Sequence, residues 1–518
     1  GSNAMAYSPN FTVDNKTYLI GNPHQPINTM GNWWEASVHS KEGYDMYGAN
    51  FSIGGMFFYI GANRNLGWSH TTNYQNSADI YKLEMHPKEK YLYKYDDEWI
   101  PLEVKKIKLK VKIGPFTIPV KKKIYFSKFG PTFLKESGFY SYKSNRFHNI
   151  RIPEQWYKMG KAKNFEEFTK ALEIQALPNQ TVTYADKEGN IFHISNFTHP
   201  LRDESLDWTE VSKGNTSLID GTKSIYNWTL DTIYPINTLP QSLNPKCGYV
   251  YNCNNTILEM TAPEENPKLN DFPKNFGIMQ STTIRAKTFR NLISEVDKIS
   301  FEKAREIREN TTLDKYDMAF RNCMNCGDLP KIINKYPELA NIKVVFDKWN
   351  GSYDIENKQA AFMVITALNF STYIKKELGN EEKNIPEEVI VDALLKAEKF
   401  LLKNYKTLEV PLGDVQKAVR FDVEMPMYGA PNTLANCHVE EYKKGKVKIV
   451  SGDSFIFYAK YDKDGLETLE TINAFGNSMK EGNPHSTDQT KLYVEKKTKP
   501  AILDLESLRK SNTSYHPK

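Results

Sequence analysis

The spacing of apolar residues changes once along this chain, and that change bounds the architectures open to it. Up to about residue 280 the apolar residues come in short runs broken by Gly and Asn turns, as in residues 56–60 followed by Gly61-Ala62-Asn63-Arg64-Asn65. Ile107, Leu109, Val111 and Ile113 alternate with Lys106, Lys108, Lys110 and Lys112, with a turn at Gly114-Pro115. Residues 104–126 therefore read as a strand pair with its lysines on one face. A solvated face that guards a sheet edge is the plainer reading of those lysines, and an anion-binding face is the other. A helix is expected over 165–174, strands over 181–184 and 191–195, and another strand over 246–256. From about Ser281 the spacing becomes three and four, as in Ala286, Phe289, Leu292, Ile293 and Val296. Helical patterns continue over 301–309, 328–336, 359–377 and 386–405, and strands return after Pro411. The expected organisation is a β-rich core over 1–280, a helical region over 281–410, and a segment over 411–518 that completes the core.

A chain of 518 residues can bury a large core, and 30 Tyr and 27 Phe suit a β-rich globular protein. The net charge of +5 is slight for this length, which argues against nucleic acid as a partner. No apolar run reaches the ~18 residues of a membrane-spanning helix. The five cysteines, Cys247, Cys253, Cys323, Cys326 and Cys437, do not settle the redox compartment.

The chain opens Gly1-Ser2-Asn3-Ala4, and Asn22-Pro23-His24 follows shortly after. A serine with a free α-amine carries nucleophile and base in one residue, because that amine titrates near ~8 and is partly neutral at pH 7. If residues 3–12 and 16–22 pair as strands, His24 returns beside Ser2. The amine is available only once Gly1 is removed. Ser-Asn-Ala is also what cleaved purification tags leave behind, which would make Met5 the native start.

Other segments have chemical and plainer readings. Trp68-Ser69-His70-Thr71-Thr72 is an oxyanion-binding backbone or an ordinary strand. Asn252-Cys253-Asn254-Asn255 offers an amide donor or an Asn-rich turn. Arg285 can hold an Asn carbonyl or lie on a helix surface. Cys323-Met324-Asn325-Cys326 has the spacing of a zinc or redox pair, but no second pair accompanies it, so incidental cysteines are favoured. Asn76 and Asp79 are too few for a calcium site. No phosphate loop, dinucleotide fingerprint or metalloprotease helix is present.

These segments, in this order, resemble the β-subunit of the penicillin acylase family of N-terminal nucleophile hydrolases, within it the acyl-homoserine-lactone and aculeacin acylases. Gly1-Ser2-Asn3-Ala4 resembles the family's self-cleavage junction, and Leu19-Ile20-Gly21-Asn22-Pro23-His24 its first hairpin. Residues 63–71, Phe129-Gly130-Pro131, Asn252-Cys253-Asn254-Asn255, Gly413-Asp414-Val415, Gly452-Asp453-Ser454 and Asn483-Pro484-His485 are also similar to family segments. The resemblance implies an α+β fold, a four-layer αββα sandwich with a mostly helical insertion. It implies Ser2 as nucleophile, His24 as its neighbour, Thr72 N–H and the Asn254 side chain as oxyanion donors, and Arg285 as the residue that holds Asn254. It implies no cofactor beyond a partly matched calcium site at Asn76, Ala78 and Asp79. It also implies an α-subunit cut from the same precursor and a periplasmic or secreted protein whose signal peptide precedes this sequence. The activity implied is hydrolysis of a fatty or aromatic acyl amide, such as an N-acyl-homoserine lactone. Alternatives are a penicillin or other amide antibiotic as substrate, a non-catalytic glycan- or polymer-binding β protein, and a metal or redox protein built on Cys323 and Cys326.

Overall fold

The computed structural model describes residues 1–28, 32–51, 57–72, 75–145, 149–177, 179–213, 218–230, 234–313, 329–373 and 386–511. Two sheets face each other across the middle of the molecule. The larger contains Ser2–Tyr7, Thr17–Pro26, Tyr249–Asn252, Val447–Asp453, Phe455–Asp462 and Gly465–Asn473, with shorter strands at its margins. The smaller runs in the order Gln241–Leu243, Ile191–Ile194, Gln180–Asp186, Leu66–Thr72, Ile60–Ala62, Asp45–Phe51 and Trp33–His39.

Period-two alternation sends the side chains of the larger sheet into two separate cores. Ala6, Leu19, Val250, Phe455, Phe457 and Ala459 point inward and meet Trp33, Ala49, Ile60 and Ile191 of the smaller sheet. Met5, Tyr7, Tyr18, Ile20, Tyr251 and Tyr458 point outward, against Phe289, Ile293, Phe301 and Ile307 of helices Ile284–Ser294 and Phe301–Arg308. On the far side of the smaller sheet, Trp68, Val182 and Tyr184 pack against Met159, Phe168 and Leu172 of helices Ile152–Lys161 and Phe165–Leu172. Helix, sheet, sheet and helix thus form four layers. Each large apolar side chain so buried contributes about 1.5–3 kcal/mol. The strands expected over 181–184 and 191–195 are the paired Gln180–Asp186 and Ile191–Ile194.

The first hairpin differs from its sequence expectation. Its pairing runs from Ser2↔Pro23 to Tyr7↔Tyr18, and residues 8–16 form a loop rather than a tight turn. Pro9, which has no N–H to give a ladder, follows the end of the first strand. The strand expected over 246–256 covers only Tyr249–Asn252, because the next asparagines turn the chain. Helices Leu329–Lys335, Ala340–Lys348, Ala360–Tyr373 and Glu387–Tyr405 share an apolar core of their own. Among the described residues no helix is long and apolar enough to cross a membrane.

Candidate active site

Ser2 starts its strand opposite Pro23, and the backbone N–H of His24 donates to the Gly1 carbonyl at 2.7 Å. The larger sheet comes close to the smaller one here. A Cβ on Gly21 would lie 2.6 Å from Ser69 Oγ and closer still to Ile60, so only glycine allows this approach. It draws the Leu66–Thr72 strand under the first hairpin.

Three asparagines then divide the work of one turn. Asn252 Oδ1 accepts from Asn254 N at 2.9 Å and from Thr71 Oγ1 at 2.6 Å, and Asn255 Oδ1 accepts from Cys253 N at 2.8 Å. These bonds hold Asn254 at φ +65, a left-handed conformation that Asn tolerates better than most residues. The Asn254 side chain is thereby aimed at the chain start, where its Oδ1 accepts from Ser2 N at 2.6 Å. Its Nδ2 donates to the Thr72 carbonyl at 3.1 Å. Among the described residues the second Nδ2 hydrogen has no acceptor.

Arg285 lies in the first turn of helix Ile284–Ser294. The cap residue Thr283 accepts from Ala286 N and donates to the Cys253 carbonyl at 3.0 Å, which ties the helix to the asparagine turn. The guanidinium donates to Asn254 Oδ1 at 2.7 Å, to the Ser2 carbonyl at 2.8 Å and to Asn3 Oδ1. Ser2, His24, Thr72, Asn254 and Arg285 therefore form one cluster. Ser2, His24, Asn254 and Arg285 are buried, and Thr72 is half-buried. Ser2 Oγ donates to the Gly1 carbonyl at 2.5 Å. Burial, then the Arg285 charge, pulls the Gly1 α-amine down from 8.0 to about 5.

Behind His24 stands a carboxylate that the sequence reading did not assign a role. Asp453 Oδ1 lies 3.1 Å from His24 Nε2, and Oδ2 accepts from Arg308 at 2.6 Å. Asn22 Nδ2 and Asn436 N also donate to Asp453 Oδ1. Burial pushes the Asp453 carboxyl up, but Arg308, His24 and Asn22 bring it below its ordinary range. Burial lowers His24 to about 3 despite the carboxylate beside it, so the imidazole is neutral. Its one proton then belongs on Nε2, facing Asp453, and Nδ1 keeps its lone pair toward Gly1. A sequence signal was available in Gly452-Asp453-Ser454: the chain needs glycine at φ +140 just before a buried aspartate.

The calcium candidates are arranged differently from a cation site. Arg202 donates to the Asn76 carbonyl at 2.9 Å and to its Oδ1. Asp79 accepts from Trp228 Nε1 at 2.6 Å and from Asn76 Nδ2 at 2.8 Å. These oxygens point at donors, and the guanidinium adds a positive charge, so the residues present do not fit a calcium ion. Among the described residues no cluster of His, Cys, Asp or Glu could hold a metal. Cys247, Cys253 and Cys437 are free thiols, and Cys323 and Cys326 lie outside the described residues. A cleft of about 470 Å³ lined by Phe129, Tyr142, Lys143 and Trp228, among others, shares no residue with the Ser2 cluster.

The sequence matches the penicillin amidase family over residues 1–510. The chain belongs to that family. The acyl-homoserine lactone acylase PvdQ of Pseudomonas fluorescens is 22% identical over 96% of this chain and 68% of its own length. The aculeacin-A acylase of Actinoplanes utahensis is 25% identical over 37% of this chain and 25% of its own. The thermostable penicillin G acylase from Alcaligenes faecalis superposes on all of this chain and 99% of that one, with a TM-score of 0.68 at 17% identity. The fold of this chain is thus the α+β N-terminal nucleophile hydrolase fold. Its family consists of amidohydrolases that are processed into α and β subunits.

Proposed function

We propose that this protein hydrolyses the amide of an N-acyl-homoserine lactone or a closely related fatty acyl amide, with Ser2 as its nucleophile. The observation that carries the reading is the convergence of Ser2, Asn254 and Arg285 through bonds of 2.6–2.8 Å, with His24 beside them. The full-length similarity to acyl-homoserine lactone acylases supports the choice of substrate.

Maturation comes first. Ser2 Oγ attacks the Gly1 carbonyl carbon, whose oxygen the His24 N–H already polarises, and the peptide C–N bond breaks to leave an ester. That break passes the Oγ proton to nitrogen and frees the Ser2 amine, and water then cleaves the ester to free the Ser2 hydroxyl. Residues preceding Ser2 in the precursor supply the α-subunit, and we place the protein outside the cytoplasm. In turnover, Ser2 Oγ attacks the substrate carbonyl and its proton passes, through one water, to the Ser2 amine. The oxyanion accepts from Thr72 N–H and from the free Nδ2 hydrogen of Asn254. Arg285 fixes the other end of that amide, so the donor is oriented before charge develops. The amine returns the proton to the leaving nitrogen, the C–N bond breaks, and water hydrolyses the acyl-enzyme. His24 Nδ1 positions the chain start, with Asp453 fixing the tautomer.

Intact-mass measurement during hydrolysis of an N-acyl-homoserine lactone tests this. The expected result is a transient gain of one acyl group on the Ser2 peptide, absent in Ser2→Ala. Turnover by a Ser2→Ala protein overturns the assignment. Hydrolysis of penicillin amides with homoserine lactones untouched would replace the substrate and keep the mechanism.

A further inference from the structure

Strands Glu103–Ile113 and Phe116–Ser127 leave the sandwich as a two-stranded ribbon. They end a third sheet that continues through Gly130–Lys135, Gly138–Ser144, Ala78–Lys82 and Ile219–Asp220. The neighbouring strand pairs only with Tyr125–Ser127, so the pairs from Lys105↔Ile124 to Ile113↔Phe116 have no third strand beside them. That stretch reaches about 30 Å at the usual strand rise.

The register sorts the ribbon into two unlike faces. Directly opposed residues share a face. One face pairs Ile113 with Phe116, Val111 with Ile118 and Leu109 with Val120 toward the tip, and nearer the base it carries Lys122 opposite Ile107 and Lys105 opposite Ile124, two lysines that the sequence expectation placed on the other face. The other pairs Lys112 with Thr117, Lys110 with Pro119, Lys108 with Lys121 and Lys106 with Lys123. The apolar face is open to solvent: Phe116 is 72% exposed and Ile113 57%. A contiguous exposed apolar surface marks an interaction site. Lysines that only guard a sheet edge do not require six apolar side chains behind them.

Charge is concentrated in the same place. Between Val104 and Phe126 the chain carries eight lysines and no carboxylate, whereas the whole chain is only +5, so the remainder has a net charge of −3. Among the described residues the only carboxylate paired with a ribbon lysine is Glu103, with Lys105 at the base. Two lysine pairs stand directly opposite each other, an arrangement that costs stability until anions surround it.

We propose that this ribbon docks the protein on an anionic lipid surface. The Leu109, Val111, Ile113, Phe116, Ile118 and Val120 face enters the headgroup boundary, and the lysines extend their ammonium groups to lipid phosphates around it. A soluble polyanion would satisfy the lysines but has no use for the apolar face. The inference does not depend on the substrate or nucleophile proposed above.

The test is cosedimentation of the mature protein with vesicles of phosphatidylglycerol and phosphatidylcholine in equal parts, against pure phosphatidylcholine. Binding is expected to the anionic vesicles alone, falling at least about tenfold between roughly 0.1 and 0.5 M salt. A Lys108→Gln, Lys110→Gln, Lys112→Gln variant and an Ile113→Ser, Phe116→Ser variant should each lose at least about tenfold, the second with its charge intact. Neither should lower the melting temperature, since these side chains are exposed. Absence of vesicle binding overturns the proposal. So does wild-type binding by the serine variant, or binding to polyphosphate that both proteins share equally with the vesicles.

Discussion

Arg285 and Arg202 are both buried guanidiniums that bond an asparagine Oδ1, Asn254 in one region and Asn76 in the other. Their surroundings differ in what is left over. Arg202 also donates to the carbonyls of Asn275 and Phe276 and lies over the Trp208 ring, while Asp79 nearby is engaged by Trp228 and Asn76. Its bonds tie distant segments together and take up the Asn76 oxygens. Arg285 bonds neutral oxygens at the chain start, its charge depresses the amine there, and the asparagine it holds keeps one hydrogen unspent. The same residue pair thus serves packing in one place and, in the proposed mechanism, chemistry in the other.

The contrast breaks if the two regions answer alike to mutation. Arg202→Met should have the largest effect, a loss of roughly 4–5 kcal/mol in stability from stranded buried acceptors. Denaturant unfolding reads that loss, and kcat of the folded fraction should stay within about twofold. Chelator added to the wild-type protein should change neither stability nor activity. Asn254→Gly should cost less stability than Arg202→Met, because glycine suits the positive φ and so offsets part of the bonds lost to Ser2, Arg285 and Thr72. It should lower kcat by about 10²–10³, or 2.7–4 kcal/mol of transition-state binding, in steady-state assays. Arg285→Gln sharpens the comparison further through pH. The base must be neutral to accept a proton, and a positive charge beside the Ser2 amine disfavours its protonated form. Removing a positive charge that bonds the Ser2 carbonyl and Asn254 should therefore move the acid limb of kcat/KM upward.

The sandwich entered through the family resemblance, because Met5–Tyr7, Tyr18–Ile20 and Phe455–Tyr461 bury both faces, every second side chain in a different core, and so show no apolar–polar alternation. The Ser2 cluster was legible in part from local sequence. One hairpin brings His24 to the chain start, and the Asn252–Asn255 turn declares itself by composition. Asp453 had a local signal in the glycine before it, but its pairing with Arg308 was missed because 145 residues separate them. Asn76 and Asp79 read as metal ligands because the cation that takes the Asn76 oxygens, Arg202, arrives 126 positions later. Which donor meets a buried oxygen is a tertiary fact, and no local pattern announces it.

The central claim is that Ser2 acts through a freed α-amine. Intact mass and N-terminal sequencing of the protein expressed from its full-length gene test it most directly. The account predicts two chains, the larger beginning at Ser2. A single soluble, folded chain that runs through Gly1-Ser2 would contradict it.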